Sequence, residues 1–147
     1  MFVIIINYCE KKQYPENIVF HEKILSLHKT AKTEPMKVTI DSVFNFDFDK
    51  AYVVNVKYVY ADEEYFTETL GFKTNIDIPT LESGIHNRIL FFKDDVIIYD
   101  FIYEIYKLKI KETEIWIYPN TTIAFTQHNF IDEKNDFIQL EFINTNS

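Results

Sequence analysis

Carboxylates, imidazoles and a single thiol stand in this chain at spacings where each could do chemistry. Asp47 and Asp49 are two residues apart in an alternating stretch, so an extended backbone puts both on one face about 6.6–7 Å apart. That separation overlaps the carboxyl pair of a glycosidase. Nothing adjacent in sequence supplies a sugar platform or a group to split the two pKa values, so a solvated strand face is the expectation. Asn45 with Asp47 and Asp49 could also hold calcium weakly, but the glycine turn and distant glutamate of an EF-hand loop are missing. His21 and His28 lie seven apart on a helical stretch and share a face, yet two turns separate them by about 10.5 Å, too far for one metal. Surface histidines are expected. Ser26, Ser42, Ser83 and Ser147 sit in no nucleophile elbow, and no triad is legible.

The thiol carries two readings. The chain opens MFVIIINYCEKKQYPEN, five apolar residues from Phe2 to Ile6, then Cys9, then a polar stretch. An apolar run ending at a cysteine and followed by a charged tether has the plan of a bacterial lipoprotein signal, in which the sulfur is acylated. A basic leader is missing, the run is shorter than the usual ~7–15 residues, and Tyr8 is bulky where a small residue is expected. The first two departures vanish if Met1 is internal to a longer reading frame. In the other reading, Phe2–Ile6 is a buried strand and Cys9 an inert thiol. Residues 1–15 are therefore expected to be a signal remnant and tether, and 16–147 a single domain.

The surroundings of these groups narrow the function classes. With 147 residues and 47% apolar content, including 14 Phe and 10 Tyr, the chain can build a core without a metal or disulfide. Two glycines exclude a glycine-rich phosphate loop, and one cysteine excludes an internal disulfide and a cysteine-rich zinc site. A net charge of −8 argues against nucleic acid, whose phosphates demand a positive stripe. Lys107, Lys109 and Lys111 alternate, but Glu104, Glu112 and Glu114 make that stretch a solvated strand face. An acidic surface suits a basic protein partner.

Positioning elements follow from the periodicities. Residues 16–31 read as a helix with Asn17 as cap and Ile18, Phe20, Ile24, Leu25, Leu27 and Ala31 inward. Lys37–Ile40 and Ala51–Tyr60 read as strands, and Phe44, Phe46 and Phe48 share a face opposite Asn45, Asp47 and Asp49. Asp62–Leu70 reads as a short helix capped by Asp62 and stopped by Gly71, with Tyr65, Phe66 and Leu70 buried. Lys73–Gly84 reads as a loop. Arg88–Phe92 and Val96–Phe101 flank a Lys93-Asp94-Asp95 hairpin turn. Strands at 103–110, 115–118, 121–126 and 137–143 complete a meander, the last near an edge. The fold class is α+β: an antiparallel meander of about 6–7 strands with two short helices on one face.

The stretch FNFDFDKAYVVNVKY (44–58), ETLG (68–71) and RILFFKDDVIIYD (88–100) resembles a loose family of uncharacterised bacterial proteins, many of them predicted lipoproteins. Phe46, Asp49, Tyr52, Tyr58, Leu70, Gly71, Leu90, Phe92, Val96 and Tyr99 fall at its matching places. Phe48 stands where Trp is usual and Lys57 where Pro is usual. The resemblance spans about residues 37–100 and implies a lipid at Cys9, with no activity attached.

These readings converge on a non-enzymatic, cofactor-free, protein-binding domain of the cell envelope that meets the membrane only through Cys9. The alternative is a cytoplasmic acidic immunity or inhibitor protein that binds a basic partner. Asp47, Asp49, Tyr52, Tyr58, Trp116 and Tyr118 are its expected interaction face, because Tyr and Trp dominate interface hot spots.

Overall fold

The computed structural model describes residues 15–31, 36–55, 62–81, 85–105, 107–125 and 138–144, with side chains from Asn17 onward. Among them are three helical segments: α1 (Pro15–Ala31), the single turn α2 (Ile40–Val43) and a π-helical turn at Tyr65–Thr69. Nine strands follow in chain order: β1 (Lys37–Thr39), β2 (Lys50–Val53), β3 (Lys73–Thr74), β4 (His86–Lys93), β5 (Val96–Glu104), β6 (Leu108–Ile110), β7 (Ile115–Ile117), β8 (Thr122–Phe125) and β9 (Ile138–Ile143).

The mixed helix and sheet content matches the expected class, but the single antiparallel meander does not form. The strands make two sheets, in the orders β3-β5-β4-β2-β7 and β1-β8-β9-β6. Each contains one parallel pair, β3 with β5 and β6 with β9. Parallel neighbours need a crossover rather than a tight turn, which local alternation cannot reveal. β9 is interior to its sheet, between β8 and β6, and not at an edge. Its inward face is as read, with Ile138, Leu140 and Phe142 buried.

β4 and β5 form the spine of the five-stranded sheet. Asp94 and Asp95 both have positive φ, 50° and 62°, which closes a two-residue hairpin of the twist that strands prefer. Burial runs without a break from Asn87 to Phe92 because both faces of β4 are covered. On one face Ile89, Phe91, Phe101 and Ile117 meet α1, α2 and the four-stranded sheet in the main core. On the other, Leu90, Phe92, Ile97 and Val54 meet Phe66 and Ile78 in a second, smaller core. The two helices therefore pack on opposite faces, α1 over the main core and the π-helical turn over the second.

The Phe44-Phe46-Phe48 stretch is irregular backbone, yet all three rings turn inward. Phe44 centres the main core, 4.9 Å from Phe20, 4.8 Å from Phe91 and 4.9 Å from Phe101. Such ring pairs contribute about 0.5–1.5 kcal/mol each beyond their buried area. The capping expectations at the π-helical turn hold. Asp62 Oδ1 accepts the Tyr65 N–H, and Gly71 has a φ of 72°. Phe66 is buried there and Tyr65 half-buried, whereas Leu70 is exposed. The stretch read as a strand from 103 to 110 bends at Ile105, so Glu104 ends β5 in one sheet and Leu108 begins β6 in the other.

Candidate functional site

α1 buries Phe20, Ile24, His28 and Ala31, with Leu27 half-buried beside them. The four buried positions lie four, four and three apart and make one stripe. Ile18 and Leu25, expected in that stripe, are instead 58% and 42% exposed, with Val19 exposed as well. At 100° per residue, Ile18 and Leu25 fall about 150° around the helix from Phe20. Asn17 and His21 occupy the flank between the two stripes.

Under that flank is a cleft of about 650 Å³. Its apolar lining comes from Ile18, Ile24 and Leu25 of α1, Ile102 of β5, Leu108 of β6 and Ile138 of β9. The cleft thus sits where the two sheets part company, with the helix as its roof. Glu22, Lys29, His86, Glu104 and Lys107 ring it, and Glu104 and Lys107 pair with each other at 3.1 Å. The volume and apolar lining with a few polar groups match a small-ligand or side-chain pocket.

Neither expected surface histidine is one. His28 is buried, its ring 6.2 Å from that of Phe125. His21 is half-buried, its ring 4.9 Å from that of Phe101 and its Nε2 3.2 Å from the Ile102 carbonyl oxygen. A carbonyl only accepts, so Nε2 carries the proton and donates. Burial pushes the His21 pKa below the ordinary imidazole value, against the opposing pull of the Ile102 carbonyl and Glu104. The neutral ring leaves Nδ1 as a lone-pair acceptor, with no hydrogen bond to it among the described residues. Asn17, expected as the helix cap, lies inside the helix and is buried. Its Oδ1 accepts the Tyr99 hydroxyl, and its Nδ2 is buried with no hydrogen-bond partner. Sequence reasoning passed over both residues as site members, and their spacing of four on a helix was the one signal that could have joined them.

The carboxylates expected to be solvated are exposed but spoken for. Asp47 and Asp49 each accept from Lys93 Nζ at 3.1 Å, and Asp49 also accepts the Asp94 N–H at 2.8 Å. The pair clamps the hairpin tip. The Asp94 N–H, then Lys93, holds the Asp49 carboxyl below its ordinary value. One ammonium bridges the two carboxylates, so nothing sets their environments apart as glycoside hydrolysis needs. Among the described residues no three His, Cys, Asp or Glu side chains group to hold a metal.

The expected interaction face is only partly assembled. Tyr52 and Trp116 are cross-strand partners with rings 5.0 Å apart, half-buried against Phe72 in the second core. Lys50 joins them to the hairpin tip, its Nζ 4.7 Å from the centre of the Trp116 ring and 3.0 Å from Asp95. Tyr118 is exposed beyond β7. Tyr58, Tyr60 and Cys9 lie outside the described residues, as do Gly84 and the turn expected at 133–136.

One charged pair escaped notice altogether. Arg88 and Asp100, on adjacent strands, are each 2% exposed in their side chains, with Nε 3.4 Å from Oδ1. Arg88 also donates to the Pro79 carbonyl and lies under the Phe66 ring, 5.6 Å from its centre. Neither Asp100 oxygen makes a hydrogen bond. Burial, only partly offset by Arg88, pushes the Asp100 carboxyl up to about 6. The pair is sealed in the second core, out of reach of a substrate.

Comparison with known proteins finds nothing similar: no family model, no curated protein and no solved structure matches the chain.

Proposed function

We propose that this chain is a non-catalytic binding domain of the bacterial cell envelope, tethered through a lipid on Cys9, and that a protein ligand docks on the outer side of α1. The observation that carries the docking surface is Ile18 and Leu25, two large aliphatic side chains left in water at the mouth of an apolar cleft. About half of each side chain is exposed, which leaves roughly 1 kcal/mol of burial apiece that a partner could recover. The apolar run before Cys9 and the resemblance of residues 37–100 to predicted lipoproteins support the anchor. The two clusters of charge support a binding role over a catalytic one, since one is spent on a hairpin tip and the other is buried.

The docking surface is tested by a photoreactive amino acid placed at 18, 25 or 47 in the full chain, expressed in its own cell. One adduct of defined mass from 18 and 25, absent from 47, is expected. Adducts from 47 alone would refute the surface. The anchor is tested by labelling with a fatty-acid analogue, where signal lost in Cys9→Ser is expected and equal signal in both would refute it.

One observation favours the second reading, a cytoplasmic inhibitor of a basic protein. Glu63 and Glu64, just before the π-helical turn, and Glu68 within it are all exposed, in a chain of net charge −8. That reading expects an association rate that falls steeply as salt rises. A salt-independent rate would remove it.

A further inference from the structure

We infer that the outer stripe of α1 is the contact through which two copies of this chain pair, helix against antiparallel helix about a twofold axis. This rests on the docking surface proposed above and names what docks there. At 100° per residue, Ile18, Glu22, Leu25 and Lys29 fall within an arc of about 60°, on the side opposite Phe20 and Leu27. All four are exposed. Their spacings of four, three and four are those of a coiled-coil seam, filled by two aliphatic residues and one residue of each charge. Among the described residues neither Glu22 nor Lys29 forms an ion pair within the chain.

The order of the charges selects the occupant. Two parallel copies would set Glu22 beside Glu22 and Lys29 beside Lys29. Two antiparallel copies with interleaved seams set Leu25 beside Glu22 of the second copy, and Ile18 beside its Lys29. Each Glu22 then lies one turn from Lys29 of the second copy, and the twofold axis makes that ion pair twice. Each Lys29 lays its methylene stem on the facing Ile18. A stripe with no net charge offers a basic protein no steering. The same four residues line the cleft, so a second helix also closes its mouth. A helix of 17 residues is about 25 Å long, and such a contact is smaller than the standard interface of about 1,600 Å². Weak pairing is therefore expected, of the kind that tethering to one membrane strengthens through local concentration.

Sedimentation equilibrium of the full chain, from low micromolar to submillimolar concentration, tests this. The mass should rise from the 17.6 kDa of one chain toward twice that value. Adducts from a photoreactive group at 18 or 25 should have the mass of two chains. Glu22→Lys and Lys29→Glu should each weaken pairing about tenfold or more, because the axis turns one change into two like-charge contacts. An equal mixture of the two variants should pair again, and an unchanged melting temperature in each shows that the fold survives. A mass fixed at that of one chain would overturn self-pairing. Adducts of another mass from 18 and 25 would then leave the docking surface standing, and their absence would remove both. Pairing that neither single variant weakens, or that the mixture fails to restore, would overturn the antiparallel seam.

Discussion

Asp49 and Asp100 are two carboxylates beside one hairpin, each next to a cation of β4, and the protein treats them oppositely. Asp49 lies 3.1 Å from Lys93 in water, and its pKa falls. Asp100 lies 3.4 Å from Arg88 in the second core, and its pKa rises to about 6. Distance to the nearest positive charge barely differs. Hydration and hydrogen bonding differ completely: Asp49 receives a backbone N–H and an ammonium, whereas Asp100 receives no hydrogen bond at all. A neighbouring charge lowers a carboxyl pKa only where the cost of losing water is smaller than the attraction.

The largest expected effect comes from removing the buried cation. Arg88→Met should cost about 3–5 kcal/mol at pH 7.5, because Asp100 loses its cation and must stay charged in the second core or take up a proton there, and the Pro79 carbonyl loses its donor. Urea unfolding measures it. Adding Asp100→Leu to that variant should recover most of the loss, since an apolar pair replaces an unpaired charge.

Asp100→Asn should remove a pH dependence. The folded value of about 6 exceeds the unfolded value of 3.8, so the folded state binds the proton more tightly. Stability from this group is complete below about pH 4 and is lost as pH rises through about 6, a change of about 3 kcal/mol. Wild type minus variant, measured by urea unfolding at pH 4.5 and 7.5, should show about 2 kcal/mol of that change, with the variant relatively more stable at the higher pH. Asp49 contributes with the opposite sign, losing its stabilisation as pH falls through its lowered pKa.

Gly71→Ala sharpens the view of the turn that covers the second core. A Cβ there meets nothing within 4 Å, so the cost is the left-handed backbone alone, about 1 kcal/mol. Thermal unfolding should register it. Asp49→Asn should give the smallest change of the series, because its ion pairs are exposed and screened, and 0.5 M salt should erase most of it.

Much of the fold was legible where the cause was local. The Asp94-Asp95 turn, the inward Phe44-Phe46-Phe48 rings, the Asp62 cap and the Gly71 stop each depend on a few consecutive residues. The buried pair was hidden by one residue. Continuing the tip register, Lys93 opposite Val96 and Phe92 opposite Ile97, would set Arg88 opposite Phe101 and Asp100 opposite Ile89, on opposite faces of the sheet. A bulge between Phe91 and Phe92 shifts the register so that Arg88 faces Ile102 and Leu90 faces Asp100. Both charges then point into the second core. The cleft was hidden for a similar reason. Ile18 and Leu25 satisfy a seven-residue spacing with each other, and only the packing of α1 on β5 shows that Phe20 and Ile24 took the inner face instead.

In the proposed binding role the apolar side of α1 is the working surface and the charged clusters are structural. The direct measurement sets two double variants side by side, reading the yield of the adduct from a photoreactive group at position 19 together with the melting temperature. Ile18→Ser with Leu25→Ser should abolish the adduct and leave the melting temperature unchanged, whereas Asp47→Asn with Asp49→Asn should keep the adduct. Loss of the adduct in the aspartate variant, with the aliphatic variant unaffected, would contradict the account.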